Sequence, residues 1–177
     1  GALTLSLTQP VFAHVAVKPA EVGVGSWQTF SMGVPVEKEM ATTSLRLVIP
    51  EGLEYVMPNV KPGWTITTQK TGEGENARVT EISWTKGSIP SGQRDDFLFS
   101  AKVPATATTL AWKAYQTYQD GSSVAWEQDP ASLAKDNHDF STQGPFSTTT
   151  IINDLGDAGP EDVTTNTDDL SPVYAMS

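Results

Sequence analysis

The sequence predicts an all-β fold of the sandwich class, and three observations support this prediction. Apolar and polar residues alternate in short runs, most clearly at Phe97, Phe99, Ala101 and Val103, which is the period of a half-buried strand. Glycine and proline interrupt these runs at intervals near the ~8–12 residues that are typical of sandwiches. Helical periodicity is weak throughout the chain, so helices are not expected to build the core.

The strands follow from the same alternation, taken in chain order. We expect them at residues 14–18, 27–34, 45–49, 53–57, 64–69, 78–85, 97–103, 110–118 and 123–126, with 146–152 as a last edge strand. Turn sequences separate several of them, including Pro62-Gly63 and the Asp120-Gly121 pair that favours a tight hairpin. The best helix candidate is the short stretch 131–135.

The composition limits the possible functions. The formal net charge is −10, which argues against a nucleic-acid partner because phosphate binding requires a basic surface. There is no cysteine, so disulfides, zinc–thiolate sites and thiolate-ligated copper are excluded. No apolar run approaches the ~20 residues of a membrane-spanning helix.

The chain divides into three parts. Residues 1–13 are small, mildly apolar and uncharged, and are interpreted as a signal-peptide remnant or an added extension, with a real first strand as the alternative. Residues 14–153 form the predicted β-sandwich domain. Residues 154–177 contain six acidic residues and no Lys or Arg, so they are predicted to be a flexible acidic tail.

His14 is the residue with the most specific chemistry. It follows Val11-Phe12-Ala13, a small-residue ending of the kind that signal peptidase cleaves. Cleavage after Ala13 would give His14 a free amine beside its imidazole, which together chelate a divalent metal. If His14 stays internal, it is an ordinary strand residue, and the residues alone leave both readings open.

An ordered set of short motifs resembles the bacterial YcnI-like family, the former domain of unknown function 1775. The motifs are His14-Val15-x-Val17-x-Pro19, Phe30 to Val34-Pro35, Glu37-Lys38, Ile49-Pro50-Glu51-Gly52, Pro62-Gly63-Trp64, Ile82-Ser83-Trp84, and Tyr115-Gln116-Thr117-Tyr118-Gln119-Asp120-Gly121 followed by Trp126. The resemblance extends from His14 to about Pro130 and does not cover the acidic tail.

The resemblance implies a secreted or extracytoplasmic immunoglobulin-like sandwich that binds Cu(II) through a monohistidine brace. In this family the mature N-terminal histidine supplies its amine and a ring nitrogen, and a glutamate and a tryptophan complete the site. The matching residues here are His14, Glu21 and Trp126, with Glu127 as a second-choice carboxylate. Many members are tethered by a C-terminal membrane helix, and any such segment would follow Ser177.

The donor types suit this chemistry. Cu(II) is favoured by nitrogen and oxygen ligands and prefers tetragonal geometry, whereas a dedicated Cu(I) site usually uses sulfur ligands, and the four methionines are scattered. The resemblance implies a role in copper trafficking or homeostasis, with a membrane copper transporter or another copper-binding protein as partner, and the presence of only two histidines and no cysteine argues against an enzyme.

Two other functions remain open from the sequence. One is an adhesion or scaffold module without metal, because β-sandwiches serve many functions. The other is a copper oxygenase, which would require a second histidine on the metal. The chain offers only His138 for that role, in a polar segment that is expected to be a solvated loop.

Overall fold

The computed structural model describes residues 13–133 and 139–153, and strands account for most of them. In chain order the strands are β1 (Ala16–Lys18), β2 (Glu21–Gly23), β3 (Trp27–Pro35), β4 (Thr42–Val48), β5 (Glu54–Pro58), β6 (Thr65–Thr71), β7 (Arg78–Thr85), β8 (Arg94–Lys102), β9 (Thr108–Trp112), β10 (Ala114–Tyr118), β11 (Ser123–Gln128), β12 (Gln143–Pro145) and β13 (Ser147–Ile152). The predicted all-β fold is confirmed. No helix within the described ranges is long and apolar enough to cross a bilayer.

The strands form three sheets around one core. A four-stranded sheet has the order β1-β3-β8-β5, a six-stranded sheet has the order β12-β11-β10-β4-β7-β6, and a small sheet has the order β2-β13-β9. Neighbours are antiparallel except for β11 with β12 and β13 with β2, which are parallel. The two larger sheets therefore contain ten of the thirteen described strands.

Aromatic side chains fill the core because they occupy the inward-facing positions of facing strands. Phe30 stacks on Phe99 with ring centroids 5.4 Å apart, and Trp112 packs against both rings. All three side chains are buried. The Trp112 indole Nε1 donates a 2.9 Å hydrogen bond to Thr149 Oγ1, which ties β9 to β13. Burial of such large rings supplies much of the hydrophobic stabilisation of a sandwich.

The run predicted as one strand over residues 110–118 is two strands in different sheets. β9 ends at Trp112 and pairs with β13, whereas β10 begins at Ala114 and pairs with β4 and β11. Between them the Lys113 carbonyl accepts a hydrogen bond from the Val48 amide. The alternation continues across this crossing because both strands bury residues against the same core, so the sequence pattern does not reveal the change of sheet.

Three further expectations need correction. The last strand, β13, lies in the centre of its sheet between β2 and β9 and is not an edge strand. Strands β2 and β12 were not predicted from the sequence, since each is only three residues long and too short to show a clear alternation. The helix expected at 131–135 is, in its described part, a single 3₁₀ turn at Pro130–Ser132 that Asp129 caps. The acidic tail lies outside the described residues.

Candidate functional site

The pairing of β1 with β3 decides where His14 lies. Ala16 is opposite Gly33 and Lys18 is opposite Ser31 in an antiparallel register. Continuing this register backwards brings the segment before β1 alongside the end of β3 and the residues that follow Pro35. His14 therefore lies at one edge of the sandwich, where the four-stranded sheet meets the six-stranded one.

A carboxylate lies next to the main chain at this point. The Ala13 amide nitrogen donates a 2.8 Å hydrogen bond to Glu37 Oε1. Glu37 itself is exposed, but its neighbour Val36 is buried and is anchored to the loop before β8: the Val36 amide donates to the Gln93 carbonyl, and the Val36 carbonyl accepts from the Gly92 amide, both at 2.9 Å. The carboxylate thus starts from a fixed backbone and reaches the chain immediately before His14.

The His14 imidazole lies among aromatic rings. Its centroid is 5.5 Å from that of the Trp126 indole and 4.8 Å from that of the Phe140 ring, which it meets edge to face. The two aromatic rings are themselves 6.4 Å apart. Trp126 is buried, while His14 and Phe140 are half-buried. We call His14, Trp126 and Phe140 the aromatic cluster.

Gly144 makes room for the Trp126 ring. It pairs directly with Trp126 across β11 and β12, and a Cβ at this position would lie 2.4 Å from Trp126 Cε3 and Cζ3. Only a glycine permits such an approach between backbone and ring. The position of the ring beside His14 therefore depends on the residue type at 144.

A buried amide holds the other edge of the indole. Trp126 Nε1 donates a 3.2 Å hydrogen bond to Gln116 Oε1, and Gln116 Nε2 donates to the Pro35 carbonyl at 3.0 Å and to Thr42 Oγ1 at 2.8 Å. Gln116 and Thr42 are fully buried. The indole is thereby connected to the end of β3, from which Glu37 follows.

Tyr118 gives the site a second polar neighbour. Burial of its hydroxyl and the nearby negative charge of Glu37 raise the pKa of Tyr118 to about 12. Lys38 Nζ lies over the Tyr118 ring, 4.4 Å from its centroid, a favourable cation–π arrangement. Tyr118 therefore stays protonated at neutral pH, and it lies close enough to Glu37 for the carboxylate charge to affect its pKa.

Of the residues predicted from the sequence, His14 and Trp126 lie together, but Glu21 lies elsewhere. Glu21 is exposed on β2 and pairs with Thr150, whereas Trp126 pairs with Gly144. Hydrogen bonds from the Val17 amide to Ser147 Oγ and from the Thr150 amide to the Ala20 carbonyl show that residues 17–20 run alongside residues 147–150, on the strand that follows Gly144. The strand pairings thus keep Glu21 away from the ring that contacts His14.

Glu127, the second-choice carboxylate, follows the buried Trp126 on the same strand and is exposed. Successive side chains of a strand point to opposite faces, so Glu127 faces outward. There it accepts a hydrogen bond from the Tyr115 hydroxyl, which raises the pKa of Tyr115. Arg46 lies over the same tyrosine ring. His138 lies outside the described residues.

The donors near His14 fit a copper ion in type. An imidazole and a carboxylate are present, and cleavage after Ala13 would add an amine to them; nitrogen and oxygen donors of this kind suit Cu(II). Within residues 13–133 and 139–153 there is no group of three or more His, Asp or Glu side chains that could hold a metal.

Glu37, Phe140 and Gln116 were not identified as site residues from the sequence. Glu37 stood in one of the family motifs, but its closeness to Ala13 depends on the β1–β3 register. Gln116 had a detectable signal, since it is a polar residue at an inward-facing position between Ala114 and Tyr118. Phe140 is an isolated aromatic residue in a polar segment and gave no comparable signal.

The fold and this edge together define the class of protein: an immunoglobulin-like β-sandwich that carries a histidine, a carboxylate and two aromatic rings at one edge. A crystal structure of an uncharacterized protein from Nocardia farcinica with an immunoglobulin-like fold aligns with a TM-score of 0.63 and 26% identity. The alignment covers 79% of this chain and 99% of the Nocardia farcinica chain. The predicted immunoglobulin-like sandwich is confirmed.

The family model described as a domain of unknown function (DUF1775) matches residues 14–146, and the chain belongs to this family. The resemblance found in the sequence motifs is therefore confirmed. The copper-binding protein CutI of Bacillus subtilis (strain 168) is 43% identical over 127 residues. The match covers 71% of this chain and 60% of that relative, so the chain spans about three fifths of the length of the curated relative.

Proposed function

We propose that this chain is an extracytoplasmic copper-binding protein that holds Cu(II) for trafficking or homeostasis, with no catalytic role. The similarity to a protein named for copper binding supports the metal. The donor set around His14 supports the oxidised ion, because it contains nitrogen and oxygen and no sulfur. The transport partner that we expect is a membrane copper transporter or another copper-binding protein.

In this proposal, His14 becomes the first residue after cleavage behind Ala13 and binds through its amine and imidazole. The hydrogen bond between the Ala13 nitrogen and Glu37 carries the proposal. It indicates that a carboxylate reaches the main-chain nitrogen one residue before His14, so the new amine lies within reach of the same group. We therefore propose Glu37 as the carboxylate ligand in preference to Glu21. Trp126 and Phe140 cover the imidazole and limit access of water.

The uncleaved chain should bind copper poorly for two reasons. Its nitrogen at residue 14 is a peptide amide, which keeps its proton far more firmly than an α-amino group with a reference pKa near ~7.7–8.0. In addition, Glu37 is engaged by the Ala13 amide. Cleavage would remove Ala13 and release both the nitrogen and the carboxylate.

The test is a Cu(II) titration, with a competing chelator, of two proteins that begin at Gly1 and at His14. We expect one tight site only in the shorter protein, and electron paramagnetic resonance should show two nitrogen ligands from His14. Glu37→Gln removes a direct ligand and should weaken binding by more than the about 10–100-fold that is typical of outer-shell changes, whereas Glu21→Gln, the matched control, should leave it unchanged. Equal affinity and equal nitrogen count in the two lengths would contradict the proposed brace. A loss in Glu21→Gln but not in Glu37→Gln would restore Glu21 as the ligand.

The absence of catalysis is tested separately. The copper-loaded protein that begins at His14 is given a reductant, and its oxygen consumption is compared with that of the His14→Ala variant. We expect no difference beyond the rate of free copper, and sustained uptake that depends on His14 would favour an oxygenase.

A further inference from the structure

Gln116 is a polar side chain in the interior of the sandwich, and its three hydrogen bonds define its orientation. It lies on β10 between the buried residues Ala114 and Tyr118 and is itself fully buried. An indole nitrogen can only donate and a backbone carbonyl can only accept. The Gln116 oxygen must therefore face Trp126, and its nitrogen must face the Pro35 carbonyl and Thr42.

Two partners of this amide lead to different parts of the candidate site, and the third, Thr42, lies on a strand next to that of Gln116. Trp126 supplies the ring that lies against the His14 imidazole. Pro35 ends β3, two residues before Glu37, and Thr42 begins β4. The amide therefore joins the four-stranded sheet, which leads to the carboxylate, to the six-stranded sheet, which carries the ring.

We propose that Gln116 is a positioning residue of the copper site, which fixes the Trp126 ring and the segment leading to Glu37 relative to each other. This inference rests on the proposed function, because it requires the metal to bind at His14. Gln116 is placed to act through its neighbours, since its nitrogen donates to Pro35 and Thr42 and its oxygen accepts from Trp126. Outer-shell residues that orient ligands typically change metal affinity by about 10–100-fold when they are replaced.

The chain offers a matched control for this bond. Thr149 is also fully buried, accepts a 2.9 Å hydrogen bond from the Trp112 indole, and donates a 2.8 Å hydrogen bond to the Pro19 carbonyl. This second buried indole bond joins β9 to β13 in the small sheet, which contains no residue of the aromatic cluster. Thr149→Val removes it with little change in shape, as Gln116→Met removes the first.

The experiment uses the protein that begins at His14. Cu(II) affinity is measured by chelator competition, and the geometry of the site by electron paramagnetic resonance. A metal-free measurement accompanies them: the ring-current shift that Trp126 imposes on the His14 imidazole protons, observed by nuclear magnetic resonance. That shift reports ring position and is insensitive to a general loss of stability in a protein that remains folded.

We expect Gln116→Met to weaken Cu(II) binding by about tenfold or more and to reduce the His14 ring-current shift, while Thr149→Val stays within about threefold of the wild type and keeps the shift. If Gln116→Met does not fold, Thr42→Val decides, because it removes one anchor of the amide and leaves Gln116 in place; it should weaken binding in the same direction. The inference would be overturned if the variant tested, Gln116→Met or Thr42→Val, had the same Cu(II) affinity and the same His14 ring-current shift as Thr149→Val.

The failure of this inference is distinguishable from the failure of the proposed function. If the wild-type protein that begins at His14 binds copper no better than His14→Ala, the proposed site is wrong and the inference falls with it. If the wild type binds tightly and the Gln116 and Thr42 variants bind equally well, the site stands and only the role of Gln116 is refuted.

Discussion

Replacing Gly144 with alanine should displace the Trp126 ring and thereby weaken the proposed copper site. The added Cβ would lie 2.4 Å from Trp126 Cε3 and Cζ3, whereas carbon atoms in contact are normally about 3.5–4.0 Å apart. The ring must therefore retreat by about 1 Å or more. Overpacking of this kind typically destabilises a protein by about 1–3 kcal/mol.

The displacement should reach the site because Trp126 is held on two further sides. Its Nε1 is hydrogen-bonded to Gln116, and its ring lies 5.5 Å from that of His14. A shift of about 1 Å must stretch the hydrogen bond, change the ring contact or do both. We expect Cu(II) affinity in the protein that begins at His14 to fall by about tenfold, in the range seen for outer-shell changes.

Gly87→Ala is the matched control. Its Cβ would lie 2.1 Å from Cδ2 of the Trp64 indole, a ring that packs on Phe97 and not on His14. Both variants should lower the melting temperature in thermal unfolding, but only Gly144→Ala should change copper affinity. Equal affinity in the two variants, with both destabilised, would refute the link between ring position and metal binding.

Two further predictions concern spectroscopy and pH. Bound Cu(II) should quench tryptophan fluorescence, and Trp126→Phe should remove more of that quenching than Trp27→Phe or Trp84→Phe. Equal losses of quenching in the three variants would locate the metal elsewhere. The raised pKa of Tyr118, about 12, means that the folded state favours its neutral form. The unfolded chain loses this proton near pH 10, so the stabilisation is complete below pH 10 and is lost as the pH rises to 12. We expect the free energy of unfolding to fall by on the order of 1–2 kcal/mol between pH 10 and pH 12, and to fall by less in Tyr118→Phe. In Glu37→Gln, absorbance titration should give a lower pKa for Tyr118. An unchanged pKa would mean that Glu37 does not act on this tyrosine.

The strands of the sandwich could be predicted from sequence where they are long enough to alternate. The residues Phe97, Phe99, Ala101 and Val103 are all buried, as their period of two indicated. The same reasoning failed at Lys113, where the chain changes sheet without a change of pattern. It also missed β2 and β12, which are three residues long. Periodicity reports the face that a residue presents, but it does not report which strand becomes its neighbour.

For the candidate site, too, some features could be predicted from the sequence and others only from the tertiary structure. The sequence determined that His14 follows a possible cleavage point, that the chain lacks sulfur ligands of the thiolate type, and that Trp126 is on a strand with a buried face. Only the tertiary structure decided which carboxylate is near. Glu21 is seven positions from His14 but is carried to another sheet, whereas Glu37 is 23 positions away and is returned by the antiparallel pairing of β1 with β3. The reason is physical: an extended chain moves away from its starting point at about 3.3 Å per residue, and only strand pairing brings distant residues back together.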